Sequence, residues 1–267
     1  MYFFNNHEKE CNILAFKGGN MGFIDWICST YPNQNVDGQY GLLHILTMVI
    51  CAAVVVGSSL LLRGKSDKTK RTVLFVYAAI LVLFGLVRRV VGFCVTEEFT
   101  TNRVLRILLP RPGCAIACWL VIIATIVNKK WMYNISAIVG ILCAVIFFAY
   151  PSVGFTKKYI LFEELYSIVT HSVFLTASIC FITYKFTDFK YNKIWKELVG
   201  IAVLVAYSFI EVYVLKIDPD PFYFLPKNEV QEIVGMGYGM YLPLYLVFMF
   251  VYINVFYFIP YLKSKKK

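Results

Sequence analysis

Long apolar runs recur along the chain, separated by short stretches in which Lys, Arg, Gly and Pro collect. A hydrocarbon core about 30 Å thick needs about 20 helical residues to span it, so each run predicts a membrane helix. The runs fall at about 40–62, 72–94, 104–127, 133–150, 159–184, 197–217 and 239–262. The expected fold is therefore an all-α integral membrane protein, a bundle of about seven transmembrane helices occupying residues 40–262. Residues 1–39 carry Gly18, Gly19, Pro32 and Gly38 as breakers and read as an irregular or interfacial segment anchored by Phe23 and Trp26. Residues 263–267 form a basic tail, and no internal repeat stands out.

Composition agrees with lipid as the solvent. Hydrophobic residues make up 59% of the 267 positions and charged residues 16%, with a mean hydropathy of +0.67, more apolar surface than a soluble fold can bury. The formal charge of +10 does not point to nucleic acid, because the basic residues sit in short loops between the runs. RGKSDKTKR holds five, NKK two, the stretch 185–196 four and the tail KSKKK four; the opposite side carries Lys9, Lys17, Arg103, Lys157, Lys158, Lys216 and Lys227. Positive charge favours the cytoplasmic side, which predicts an outside or luminal N-terminus and a cytoplasmic C-terminus. Most of the eight Cys lie inside predicted spans; only Cys11 and Cys28 share a polar segment where a disulfide could form. The N-terminus lacks the pattern of a cleavable signal peptide.

With that topology, the ionisable residues inside the spans gather at one depth. His44, Arg88, Arg89, Arg111, Glu163, Glu164, His171 and Glu211 all fall in the outer or luminal half, and the cytoplasmic halves read as apolar. A charge in hydrocarbon costs several kcal/mol unless it pairs or faces a wet cavity, so the clustering predicts a polar chamber between helices. Pairing of Arg88 or Arg89 with Glu163, Glu164 or Glu211 merely to fix helix packing is the competing reading.

Span three reads LLPRPGCAIACW, where Pro110 and Pro112 remove backbone donors and Gly113 removes a side chain just before Cys114. His171, in YSIVTHSVF, enters span five from the same side and reaches a similar depth. An imidazole can take the proton of a thiol, and neighbouring Arg111 could favour the anion. A packing Cys and a structural His are the plainer alternatives.

These residues resemble the YwaF-type integral membrane proteins and the related transmembrane protein 164 family of cysteine acyltransferases. The matching features, in order over about 40–262, are QYGLLHIL opening span one, LLPRPGCAIA in span three, VTHSVF in span five, DPDPFYFLP after span six and FYFIPYL closing the last span. The chain departs from the family at the centre of the Cys motif, where YwaF-type proteins commonly read like LPLHLC and this one has Arg111 and Pro112. The resemblance implies a nucleophile at Cys114 and a catalytic His at His171. It implies transfer of a fatty acyl chain between glycerophospholipid and lysophospholipid without coenzyme A, and these lipids as partners. Arg111, His44 or backbone N–H groups freed by the Pro break are candidate oxyanion donors, with Arg88, Arg89, Glu163, Glu164 and Glu211 as supporting residues. No metal or cofactor is implied.

A small-molecule or lipid transporter with a polar cavity in the outer half of the bilayer is the alternative. A retinal receptor is disfavoured because the last span has no Lys, and no HExxH, CxxC, Walker or Rossmann pattern occurs. GMGYG at 235–239 reads as a helix start rather than a phosphate loop, and Asp218 and Asp220 as part of a Pro-rich interfacial turn. The tail marks the cytoplasmic side by charge; the expected membrane is the plasma membrane in a bacterium and the endoplasmic reticulum in a eukaryote, where Lys263 and Lys265 resemble a dilysine retrieval signal.

Overall fold

The computed structural model describes residues 23–27, 41–94, 96, 99–111, 113–149, 155, 160–217 and 222–265. The proposed Cys11–Cys28 pair, Pro112, Lys9, Lys17, Lys157, Lys158, Asp218 and Asp220 lie outside the described residues. The described chain is all-helical, with no strand among the described residues. The helices are α1 (Phe23–Ile27), α2 (Leu42–Leu62), α3 (Asp67–Cys94), α4 (Thr101–Leu108), α5 (Gly113–Val127), α6 (Lys130–Ala149), α7 (Phe162–Thr183), α8 (Ile194–Phe209), α9 (Glu229–Val234) and α10 (Tyr238–Lys265). Among the described residues six spans are long and apolar enough to cross a membrane, α8 being joined with its flanking turns in one of them. Counted as one broken span, the pair α4 and α5, bent by 51° at their junction, brings the number to seven.

Bilayer packing explains the layering. α6 is central: 67% of its apolar window is buried, against 6% for α2. It packs on α5, α7 and α8, while α2 lies along α7 and turns Ile45, Leu46, Val49 and Ile50 outward. Such exposed aliphatic stripes suit lipid, whose tails are as apolar as Leu. With no hydrophobic force between helices in lipid, close packing at small residues supplies the association. At Gly140 on α6 an added Cβ would collide with the Ser178 side chain of α7, and at Gly200 on α8 with Ile135 of α6.

Local chemistry shapes the ends. Thr100 caps α4 by accepting from the Arg103 N–H at 3.3 Å. Leu109, just before Pro110, is extended at φ −71° and ψ 146°, as a residue preceding proline must be, and the helix stops there. Gly235 ends α9 in the left-handed region at φ 68°, and the Gly237 carbonyl then accepts the N–H groups of Met240 and Tyr241 as α10 begins. GMGYG thus serves a helix stop and a helix start. Trp26 of α1 donates to the Ile160 carbonyl at 2.8 Å and packs edge-on to Phe162, which ties the N-terminal segment to the start of α7; Phe23 stays 72% exposed.

Two expectations change. α3 begins at Asp67 rather than near 72, so part of the basic stretch is helical. The half of the bundle next to the basic loops is not wholly apolar, for Glu197 is buried there at 1% exposure in the first turn of α8. Its place at the edge of an apolar run made it read as a boundary residue.

Candidate functional site

The break in span three starts α5 at Gly113, so Cys114 occupies its first turn, at the end of the bundle opposite the basic loops. The thiol is half-buried against the main core. The Arg88 guanidinium and the N–H groups of residues 114 and 115 act on its sulfur electrostatically, and Cys143 of α6 lies near enough to feel that sulfur.

His171 is 5% exposed on α7, within a ring of aromatic groups: Phe147 stacks on it at 3.7 Å between centroids with planes 14° apart, and Phe174 lies at 4.9 Å. Its Nδ1 is 2.6 Å from the Ser167 carbonyl oxygen. A carbonyl can only accept, so Nδ1 carries the proton and Nε2 presents a lone pair in the neutral ring. Among the described residues Nε2 has no hydrogen-bond partner. Helices α5 and α7 pack directly, and α6 spans both residues by its face, with Cys143 toward Cys114 and Phe147, four positions on, against His171. Among the described residues no hydrogen bond joins Cys114 to His171.

The remaining charged residues resolve into separate contacts. Arg88 Nε meets Glu163 at 3.4 Å, and its guanidinium lies 5.1 Å from the Tyr166 ring centre. Arg89 donates to the Gly85 and Leu108 carbonyls and faces Trp119 at 5.6 Å, bracing α3 against both halves of the broken span. Glu164 accepts from the Leu161 N–H at 3.1 Å and caps α7. His44, 1% exposed, places Nε2 3.0 Å from the Phe148 carbonyl and its ring beside Phe155.

Arg111 forms a buried pair with Glu211, Nε to Oε2 at 3.2 Å, and donates to the Ile217 carbonyl at 3.1 Å. Tyr207 donates to the other Glu211 oxygen at 2.8 Å. Glu211 reaches inward because α8 ends in a π turn, Ile210–Val214, which widens the helix there. The pair links the break in span three to the end of α8. Tyr166, Phe147 and Cys143 went unnoticed in the sequence; Tyr166 follows Glu163 by three positions, a helical neighbour spacing that could have revealed it. Among the described residues no group of three or more His, Cys, Asp or Glu is placed to hold a metal ion.

Six to seven apolar spans among the described residues, with charged pairs and a Cys and His gathered toward one end, define a multi-pass membrane protein with a polar constellation inside its helix bundle. A family model for the TMEM164 family matches residues 39–260, and the chain belongs to that family. No curated protein and no solved structure matches the chain.

Proposed function

We propose that the protein moves a fatty acyl chain between glycerophospholipid and lysophospholipid through a thioester on Cys114, without coenzyme A. The observation that carries this reading is the His171 ring, whose Nδ1–H is held by Ser167 and whose buried Nε2 is left as a proton acceptor. A general base needs that tautomer.

In the first half-reaction Sγ attacks the ester carbonyl carbon of the donor lipid while its proton goes to Nε2. The tetrahedral adduct collapses to the thioester, and the departing glycerol oxygen takes the proton, releasing a lysophospholipid. In the second, the hydroxyl of an acceptor lysophospholipid attacks the thioester, its proton passes to Nε2 and then to the leaving sulfur, and the thiol is restored. Arg88, rather than Arg111, is the cation near the sulfur and so the candidate for steadying negative charge on sulfur or oxyanion. The step requires Sγ and Nε2 to approach each other across the face of α6, and the bound lipid is what would bring them there. The N-terminal side of the bundle, read as outer or luminal, is the side from which lipid would enter.

The test is intact mass spectrometry of purified protein incubated with phospholipid and lysophospholipid, with lipid analysis alongside. Wild type is expected to gain an acyl mass that hydroxylamine removes. Cys114→Ala should show neither adduct nor exchange. His171→Gln should lose about 10²–10⁴-fold in rate, the usual worth of general acid–base catalysis. Folded wild type that forms no adduct and turns over no lipid would sink the proposal, and transport assays would follow.

A further inference from the structure

At the depth of Cys114 three helices meet, and contacts that do not involve the thiol fix their level. Arg89 of α3 donates to the Leu108 carbonyl at 3.1 Å and faces the Trp119 ring of α5 at 5.6 Å, so this turn of α3 lies against both halves of the broken span. Arg88, the residue before it, turns to α7, where Nε meets Glu163 at 3.4 Å and the guanidinium lies 5.1 Å from the Tyr166 ring centre. Tyr166 is thereby held beside the first turns of α5. Its hydroxyl is near enough to Cys114 and Cys118 to feel both sulfurs.

That hydroxyl is unemployed. The half-buried ring rests against Arg88 and Phe162, yet among the described residues the oxygen makes no hydrogen bond. Tyrosines elsewhere in the bundle are engaged: the Tyr77 hydroxyl lies 2.6 Å from Ser58 Oγ, Tyr207 donates to Glu211 at 2.8 Å, and Tyr252 donates to the Ile138 carbonyl at 2.7 Å. A phenol in apolar surroundings normally finds a partner, so a free one beside the sulfur points to an acceptor that arrives with the substrate. Its place on α7 suits that role. Tyr166 and His171 are five positions apart, about 7.5 Å along the axis and roughly 140° around it. Tyr166 faces α3 and α5, while His171 stacks on Phe147 of α6. A base and an oxyanion donor must approach an attacked ester from different sides, because one takes the proton of sulfur and the other meets the carbonyl oxygen.

We infer that Tyr166 is the oxyanion donor of the acyl exchange, an assignment that rests on Cys114 being its nucleophile. As Sγ bonds to the ester carbonyl carbon, the C=O π pair moves onto oxygen, and the Tyr166 O–H donates a hydrogen bond to that oxyanion while keeping its proton. The N–H groups of residues 114 and 115, which already act on the sulfur, stand beside it. Collapse returns the pair to re-form C=O and expels the glycerol oxygen, and the same donor serves when the acceptor hydroxyl attacks the thioester. Arg88 lies over the ring face, where a cation draws density from the phenol and makes its O–H a stronger donor. Arg88 thus acts through Tyr166 as well as by its own charge.

The test compares Tyr166→Phe with wild type, both full-length in detergent; phenylalanine keeps the ring and its contact with Arg88 and removes only the hydroxyl. The readouts are acylation by a phospholipid, followed by intact mass spectrometry, and inhibition by the same lipid with its cleavable ester replaced by a difluoromethylene ketone. A thiol adds to that ketone and leaves an oxyanion with no group to expel. Acylation is expected to slow about 10²–10³-fold, the usual worth of one oxyanion-hole donor, with KM unchanged. Ketone affinity should fall by a similar factor, which a packing role would not produce. The melting point should hold within a few degrees, since the hydroxyl has no partner to lose. Tyr77→Phe, whose hydroxyl meets Ser58 nearer the basic loops, should acylate at the wild-type rate. Wild type that acylates, beside a Tyr166→Phe that acylates as fast, would overturn this inference alone. A raised KM with unchanged turnover, or a clear drop in melting point, would make the hydroxyl structural and overturn it as well. Wild type that forms no adduct would remove the reaction, and this role with it.

Discussion

Replacing Glu211 by Gln keeps the volume of the side chain but removes the carboxylate charge from its buried pair with Arg111, which is only 5% exposed. At 3.2 Å the attraction lost is roughly 5 kcal/mol for an effective dielectric near 20. Removing one member of a buried pair costs about 3–5 kcal/mol in practice. The Ile217 carbonyl and the amide oxygen still accept from the guanidinium, so about 3 kcal/mol is expected. Arg88 and Glu163 supply an internal comparison: at 3.4 Å and with 28% and 22% of their side chains exposed, they are screened, and Glu163→Gln is expected to cost about 1 kcal/mol or less. Thermal unfolding of both variants beside wild type in one detergent, followed by a thiol-reactive dye, reads the difference. At about 2–4 °C per kcal/mol for a chain of this size, Glu211→Gln should melt roughly 6–12 °C lower and Glu163→Gln less than roughly 4 °C lower. The double variant Arg111→Met/Glu211→Leu, which removes both charges, should recover part of the loss. Equal shifts for the two single variants would refute the argument that burial sets the strength of these pairs.

Other outcomes follow from the same packing. Gly140→Ala places a methyl group against Ser178 and should destabilise by about 1–3 kcal/mol, whereas Gly57→Ala, with no heavy atom within 4 Å of the new Cβ, should stay within about 0.5 kcal/mol; the same melting assay separates them. Cys94, exposed at the end of α3 away from the basic loops, should react with a membrane-impermeant maleimide from the outside of sealed cells or the luminal side of vesicles, in a variant whose Cys11 and Cys28 are replaced by Ser. Labelling only from the cytoplasmic side would reverse the orientation inferred from the basic loops. His171→Phe, which retains an aromatic ring between Phe147 and Phe174, should leave the melting point within a few degrees while abolishing acyl exchange; retained exchange would remove His171 from the reaction.

The number of spans, their rough limits and the gathering of His44, Arg88, Arg89, Arg111, Glu163, Glu164, His171 and Glu211 toward one end were legible in the sequence. Those properties are local: apolar run length against bilayer thickness predicts a helix, and counting along it gives depth. The break before Cys114 was equally plain, because Pro110 dictates the extended conformation of Leu109 whatever surrounds it. Partnership was not legible. A helix apolar on every side carries no stripe to say which residue faces which neighbour, so only the packed bundle could commit Arg111 to Glu211 across a π turn, set Arg88 against Glu163 and Tyr166, and leave Nε2 of His171 open beside Phe147. Glu197 shows the same division: its position near the start of a span was evident, but its burial against Asn134 depends on the close approach of α6 and α8 at Gly200, a contact between residues 65 positions apart.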